Sequence, residues 1–318
     1  MRYLLILFCF TCFNLTLLAQ TSFDTKFSSF KTIKIDSGVT LTIDEPEVFT
    51  ISEPTKIIIY ALPNGNSTAQ TFGKELAQGD DWHFDIQHIG AQTQFIRKAD
   101  SLTNYIVVYA ENNLKSWPAW RKKFANADEQ IGSILSDLLA KYKNLQPQII
   151  LCGHSGGGSF IFGYINSQTQ LPAYISRIGF LDATYGYETD KHQAKLSTWL
   201  KTKNKSLQVI AYNDSVVVYN GKPLVSAKGG TWYRSKLMAM DLKSSFRLKE
   251  TDHPDRLIWN DKKHLIEFTL IKNPEAKIFH TVLVEKNGFI DLIFRGTEHQ
   301  DKKYKFWGDR AYSNFVLK

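Results

Sequence analysis

The chain has 318 residues, of which 43% are hydrophobic and 22% charged, a composition typical of one ordinary globular protein with a sizeable core. Its net charge is +8, and its basic residues are scattered in short groups such as residues 121–123. No motif of a nucleic-acid-binding domain accompanies these groups, so we expect no nucleic-acid partner. The positive charge is compatible with an anionic glycan partner, and also with simple solubility.

The N-terminal residues have the pattern of a secretory signal peptide. A short basic start at residues 1–3 is followed by an apolar run over residues 4–18, and Ala19 offers a cleavage point. A run of about 15 apolar residues is too short to span a membrane. We therefore predict a signal peptide over residues 1–19, a secreted or periplasmic location and no stable membrane insertion. Cys9 and Cys12 lie in this segment, which leaves Cys152 without a disulfide partner.

The following segments alternate between strand and helix patterns. An antiparallel hairpin is predicted where residues 32–36 and 39–43 alternate apolar and polar side chains around a Ser-Gly turn. Continuous apolar runs at residues 56–60 and 105–109 predict parallel strands buried on both faces. Further strands are predicted at residues 149–151, 178–181, 207–211 and 265–271. Helical spacing is clearest over residues 127–142.

These elements predict an α/β fold. The expected architecture is a mostly parallel central sheet with helices on both faces and an antiparallel N-terminal hairpin. Residues 20–318 are expected to form a single domain. Residues 216–263 are the longest stretch without a predicted sheet strand, and we interpret them as a possible partial lid over a site.

The motif richest in chemical information is Gly-x-Ser-x-Gly around Ser155, directly after an apolar strand and before a run of small residues. In this context the motif predicts a nucleophile elbow, a tight strand-to-helix turn that projects the serine hydroxyl above the sheet. The backbone N–H of Gly156 is then free to face a developing oxyanion. His154 points away from an exposed Ser155 and is expected to pack or to orient its neighbours. The alternative interpretation is a glycine-rich turn with an idle serine.

The order of elements together with the elbow resembles the α/β-hydrolase superfamily, without identifying a particular family within it. The resemblance implies a serine hydrolase with a Ser-acid-His triad and no cofactor. It also implies a second oxyanion donor from the loop after the strand at residues 57–60, where Asn64 or Gly65 is the candidate. This Asn-Gly pair could equally form an ordinary turn.

In the superfamily the histidine follows the acid in the chain and lies beyond the last strand. His280 fits this position, because it follows the strand predicted at residues 265–271. If residues 282–294 instead form a hairpin around Asn287 and Gly288, His299 becomes the candidate base.

Two aspartates are candidates for the acid, since each follows a predicted strand. Asp182 follows the strand at residues 178–181, and Asp214 follows the strand at residues 207–211. The apolar context favours Asp182, and the other aspartate is then expected to cap a strand end.

The predicted function is a secreted serine hydrolase that cleaves an ester rather than an amide, with a small-molecule, glycan or peptide ester as substrate. The alternative is a non-catalytic protein of the same fold that binds a cell-surface glycan or peptide. His83, Asp85 and His88 are close in sequence. However, on a strand the two histidines would face opposite ways, so we predict no metal site there.

Overall fold

The computed structural model describes residues 22–318, so the predicted signal peptide lies outside the described residues. Ten strands form the main sheet: β1 (Lys31–Ile35), β2 (Val39–Asp44), β3 (Thr55–Ala61), β4 (Asn104–Asn112), β5 (Gln148–His154), β6 (Ile175–Leu181), β7 (Ser206–Tyr212), β10 (Lys249–Asp252), β11 (Arg256–Asn260) and β12 (Ile266–Ile271). The short strands β8 (Val218–Tyr219) and β9 (Lys222–Pro223) pair separately.

The sheet has the order β1-β2-β4-β3-β5-β6-β7-β12-β11-β10. From β4 to β12 the neighbouring strands are all parallel, so their carboxyl ends lie along one edge of the sheet. The N-terminal hairpin of β1 and β2 is antiparallel, with Ile35 opposite Val39. The predicted mostly parallel sheet and its N-terminal hairpin are thus confirmed.

Helices cover both faces of this sheet, as predicted. They are α1 (Phe23–Ser28), α2 (Thr68–Phe72), α3 (Ile89–Ala99), α4 (Trp117–Lys123), α5 (Ala127–Lys141), α6 (Gly157–Ser167), α7 (Thr189–Leu200), α8 (Thr231–Lys243) and α9 (Phe289–Phe294). Helices α4 to α8 contribute to one buried apolar cluster, whereas α3 and α9 contribute to another. None of the helices between residues 22 and 318 is long and apolar enough to cross a membrane.

Strand β3 shows why the continuous apolar runs become central strands. Ile57 and Ile59 belong to the first cluster, and Ile58 and Tyr60 belong to the second. Because successive side chains point to opposite faces, a strand covered by helices on both sides needs apolar residues at every position.

Residues 216–263 differ from the prediction, because they contain two strands of the main sheet, β10 and β11. These strands pair antiparallel at the edge, and most of their residues are exposed or half-buried. The same stretch holds α8, whose N-terminus reaches the carboxyl edge of the sheet. Residues 284–294 form kinked helical turns and not the alternative hairpin.

Candidate active site

Ser155 lies between the end of β5 and the start of α6, in the left-handed region at φ = 53°. A non-glycine residue in this region is strained and persists only where its surroundings fix it. The Ser155 backbone N–H donates to the Leu181 carbonyl at 3.1 Å, which ties the turn to the end of β6. Strand, strained serine and helix follow one another as the elbow motif predicts.

The glycines after Ser155 allow neighbouring chain to come close. A Cβ on Gly156 would collide with the side chain of Asn64, and one on Gly158 would collide with the Ala183 carbonyl. The elbow is therefore held between the loop after β3 and the loop after β6.

Asp182 directly follows β6, and the structure pairs it with His280. Its Oδ2 lies 2.5 Å from His280 Nδ1, and its side chain is fully buried. Asp182 also has a left-handed φ, 46°, and its N–H donates to the Ile210 carbonyl at 2.7 Å. A buried carboxylate in this position fixes the imidazole orientation and can stabilise an imidazolium.

His154 brings the loop of His280 against the elbow. The ring Nε2 of His154 lies 2.9 Å from the backbone carbonyl of His280, and the two ring centroids are 4.5 Å apart. Because a carbonyl only accepts, Nε2 must carry the proton. Burial, reinforced by the neighbouring His280, holds the pKa of His154 well below its usual value, so its ring stays neutral.

The Ser155 hydroxyl makes no hydrogen bond to any residue between 22 and 318, so the structure joins His280 to Asp182 but not to Ser155. Catalytic hydrogen bonds are often formed only when substrate is bound.

Asn273 fixes the loop that carries His280. Its side chain is fully buried, donates to the Asn213 carbonyl at 3.0 Å, and exchanges two hydrogen bonds with the backbone of Lys277. The loop after β12 is thereby attached to the loop after β7, which places His280 at the carboxyl edge of the sheet.

Asp214, the alternative acid, lies behind Asp182 and caps α8. Its carboxylate accepts from the backbone N–H groups of Thr231 at 2.7 Å and Trp232 at 3.3 Å. Burial, with the charge of Asp182 as the second cause, raises the pKa of Asp214 to about 6.

Thr231 connects the two carboxylates, and the sequence does not single it out for this role. Its hydroxyl donates to Asp182 Oδ1 and lies 3.3 Å from Asp214 Oδ2. The sequence signal that could have found it is the Gly-Gly-Thr segment at residues 229–231, which precedes the helix, because a helix N-terminus attracts carboxylates. Of the two aspartates, Asp182 contacts the histidine and Asp214 supports it through Thr231.

The candidate oxyanion donors differ in availability. The Gly65 N–H donates to the Lys115 carbonyl at 2.8 Å and is already used. Within residues 22–318, the N–H groups of Asn64 and Gly156 donate to no protein acceptor, and Asn64 contacts the elbow through its side chain. The geometry therefore favours Asn64 over Gly65 beside Gly156.

A cavity of about 420 Å³ opens beside Ser155. Its lining includes Asn64, Pro118 and Tyr185, together with Ser159, which lies one helical turn after Ser155. A cavity of this size accommodates a small organic group.

His299, the alternative base, lies at the opposite edge of the sheet. Its Nε2 is 3.8 Å from Asp100 Oδ1, and it shares a separate cavity with Lys56 and Tyr105 near the amino ends of β3 and β4. The helical turns over residues 284–294 carry the chain across to that edge. This placement separates His299 from Ser155.

His83 and His88 do not lie on a strand, contrary to the arrangement assumed for them from the sequence. Residues Trp82–Asp85 form a 3-10 turn, and His88 Nε2 lies 2.6 Å from Asp85 Oδ1, which also accepts from Arg310. Within the described residues 22–318, no group of three or more His, Cys, Asp or Glu side chains is arranged to hold a metal ion.

Comparison with known proteins places the fold. No family model matches the sequence, and no curated protein sequence matches it. A solved structure of a thermostable esterase superposes with a TM-score of 0.53 at 11% identity, over 85% of this chain and 64% of that one. The chain thus spans less than two thirds of that esterase's length. The fold is that of the α/β-hydrolases.

Two further solved structures are similar at lower TM-scores. The siderophore hydrolase EstB from Aspergillus nidulans has a TM-score of 0.45 at 12% identity, covering 84% of this chain and 93% of that one. An acetyl xylan esterase from Aspergillus awamori has a TM-score of 0.43 at 9% identity, with 77% and 92% covered. Within this α/β-hydrolase fold, Ser155, Asp182 and His280 follow β5, β6 and β12, in the chain order Ser-acid-His.

Proposed function

We propose that the protein is a serine hydrolase that cleaves carboxylic esters through an acyl-enzyme. The observation that carries the proposal is the contact of His280 Nδ1 with the buried carboxylate of Asp182, next to a strained serine at the strand-to-helix turn. Nucleophile, base and orienting acid on such a scaffold are the groups that acyl transfer requires.

The reaction proceeds in two steps, formation of the acyl-enzyme and its hydrolysis. Ser155 Oγ bonds to the ester carbonyl carbon while its proton passes to His280 Nε2, and the carbonyl electron pair moves onto oxygen. The N–H groups of Asn64 and Gly156 stabilise that oxyanion. Collapse breaks the bond to the leaving oxygen, which takes the proton from His280. Water then repeats the sequence with the acyl-enzyme, releasing the acid and returning a proton to Ser155.

Labelling with a fluorophosphonate, combined with hydrolysis of p-nitrophenyl butanoate, tests this function. We expect Ser155→Ala to abolish both labelling and turnover. His280→Ala should lower kcat by about 10²- to 10⁴-fold, because it removes the general base. The matched control is His299→Ala, which removes a histidine at the opposite sheet edge and should leave kcat unchanged.

Three outcomes would contradict the proposal. They are labelling that survives Ser155→Ala, a larger loss in His299→Ala than in His280→Ala, and a wild-type protein that neither reacts with the probe nor turns over any short ester. The last result would favour a non-catalytic binding protein of the same fold.

A further inference from the structure

Ser159 on α6 is one of the polar residues that line the cavity beside Ser155. The hydroxyl of Ser159 accepts a hydrogen bond from Arg121 Nη1 at 3.2 Å. A guanidinium only donates, so the proton on the Ser159 hydroxyl is not used by this contact. Since Ser159 also lines the cavity, its hydroxyl can donate to an acceptor oxygen of a bound molecule.

The Arg121 side chain is fixed in place by Asp128. Its Nε and Nη2 donate to the two Asp128 carboxylate oxygens at 2.7 and 2.9 Å. Asn166 donates to the same carboxylate at 3.1 Å. Gly163, one turn beyond Ser159, leaves room for the pair, because a Cβ there would come within 3.0 Å of both side chains.

The ion pair of Arg121 with Asp128 sets the charge of the cavity lining around Ser159. Asp128 neutralises the guanidinium in a bidentate contact, so the cavity presents a neutral hydroxyl donor and not a free cation. The complementary group is an ether, hydroxyl or carbonyl oxygen. A carboxylate would find no uncompensated positive charge there.

The acyl part of an ester is the part that reaches Ser159. The leaving oxygen must face His280 to receive its proton, and His280 is not among the residues that line the cavity. The acyl chain then extends from the carbonyl carbon into the cavity that Pro118, Ser159 and Tyr185 line.

We infer that the enzyme selects esters whose acyl chain carries a neutral hydrogen-bond acceptor oxygen, bound by Ser159. This inference rests on the proposed ester hydrolysis and specifies its substrate class. An acceptor oxygen within the chain receives a hydrogen bond from the Ser159 hydroxyl. An all-carbon chain instead leaves the Ser159 proton without an acceptor once water is excluded, although the hydroxyl oxygen still accepts from Arg121. The site therefore discriminates against the all-carbon chain.

Two pairs of p-nitrophenyl esters of equal chain length test the inference. In the first pair, methoxyacetate has an ether oxygen two bonds from the carbonyl carbon, where butanoate has a CH₂ group. In the second pair, 3-methoxypropanoate has the oxygen three bonds from the carbonyl carbon, where pentanoate has a CH₂ group. The measured quantity is the ratio of kcat/KM within each pair. Comparing this ratio between wild type and Ser159→Ala cancels the intrinsic reactivity of the esters.

We expect Ser159→Ala to lower the methoxy-to-alkyl ratio by about five- to tenfold in at least one pair, the value of one hydrogen bond. Ser159→Thr should keep the ratio and the equally shaped Ser159→Val should lose it. Ser136→Ala, which removes an exposed hydroxyl on α5, should leave the ratio unchanged.

An unchanged ratio in both Ser159→Ala and Ser159→Val, with both esters of each pair turned over by the wild type, would overturn the inference alone. A wild type that turns over none of the four esters would overturn the proposed function together with it. Melting temperatures of the variants verify that each is folded, and Ser→Ala within a helix favours the helix.

Discussion

Ser155 and Asp182, at the residue scale, share an unusual backbone geometry. Both residues have a left-handed φ, 53° for Ser155 and 46° for Asp182. Each directly follows the last residue of its strand, β5 or β6, and these two strands are neighbours in the sheet. Each such conformation costs on the order of 1–3 kcal/mol for a residue with a Cβ. The N–H of Ser155 donates to the Leu181 carbonyl, and the N–H of Asp182 donates to the Ile210 carbonyl. These bonds hold the strained backbone in place, so both side chains lie at the carboxyl edge of the sheet.

We predict that His154 positions His280 through the contact with its backbone carbonyl. We expect His154→Phe to lower kcat by up to about tenfold with little change in KM, because it removes one hydrogen bond to the His280 backbone. The melting temperature should stay equal or rise, since Nδ1 of His154 is buried without a partner and phenylalanine has no such atom. Steady-state kinetics and thermal melting measure the two effects separately.

The pairing of a lower kcat with an unchanged or higher melting temperature distinguishes positioning from general support of the fold. His154→Gln, whose amide can donate to the same carbonyl, should recover part of the lost kcat. An unaltered kcat in His154→Phe would refute the positioning role.

The sequence could indicate individual residues only as far as local patterns reach. Ser155 was recognisable because its glycines and preceding strand are contiguous with it. The choice of Asp182 over Asp214, and of His280 over His299, depends on which loops meet at one sheet edge. That is set by contacts between residues far apart in the chain, such as Asn273 with Asn213. Ser155, Asp182 and His280 as a catalytic triad remain a prediction until activity is measured.

At the scale of elements, α8 is linked to the site by its first turn. Its N-cap, Gly230, offers no side chain, and Asp214 supplies the missing acceptor to two N–H groups of that turn. A carboxylate is favourable at a helix N-terminus. Because Thr231 also donates to Asp182, the start of α8 fixes both aspartates.

Asp214→Asn should change the pH dependence of stability. The pKa of Asp214 is raised in the folded protein to about 6, from 3.8. Between these values the native state holds more protons than the unfolded state, so the aspartate's contribution to stability falls as pH rises. Asparagine has no such titration. The unfolding free energy of Asp214→Asn minus that of wild type should therefore increase between pH 4 and pH 7, by about 2–3 kcal/mol.

Urea unfolding of both proteins at pH 4, 5, 6 and 7 gives this difference directly. The absolute offset depends on how well the amide replaces the carboxylate as a cap, so the prediction concerns only the change with pH. A difference that is flat across this range, or that decreases, would show that Asp214 has no raised pKa.

No strand is predicted from the sequence where β10 and β11 lie at the edge of the sheet, and the composition of β10 explains why. The sequence of β10 is Lys-Glu-Thr-Asp, and its side chains are exposed apart from a half-buried Thr251. An edge strand needs little apolar surface, and charged residues there discourage pairing with other chains. Its formation depends on pairing with β11, which no local pattern within β10 indicates. The central strands, buried on both faces, were predictable for the opposite reason.

At the scale of the whole molecule, the chain after α9 ties distant elements together. The Tyr312 hydroxyl donates to the Glu285 carbonyl at 2.8 Å, and the Leu317 carbonyl accepts from the Glu75 N–H at 2.7 Å. The last residue, Lys318, accepts through its carbonyl from the N–H of Phe23 in α1. Through these contacts the C-terminal segment packs on the same side of the sheet as α3 and α9.

Arg310 is the charged centre of this segment, and Arg310→Ala should lower the melting temperature with little effect on ester hydrolysis. Its guanidinium donates to Asp85 at 2.8 Å and to Glu285 at 2.9 Å, and all three side chains are partly exposed. Solvent screening reduces such pairs, so we expect a loss of about 1–2 kcal/mol. For a protein of this size that corresponds to a decrease of about 2–8 °C.

Arg247→Ala is the matched control, because Arg247 is an exposed arginine that makes no hydrogen bond or ion pair with residues 22–318. Calorimetry and p-nitrophenyl butanoate hydrolysis at 25 °C should separate stability from catalysis in both variants. Since none of the side chains bonded to Arg310 lines the cavity beside Ser155, kcat/KM should be retained. Equal melting temperatures for the two variants would mean that the C-terminal segment is held by its apolar contacts alone, and that the ion pairs of Arg310 contribute nothing.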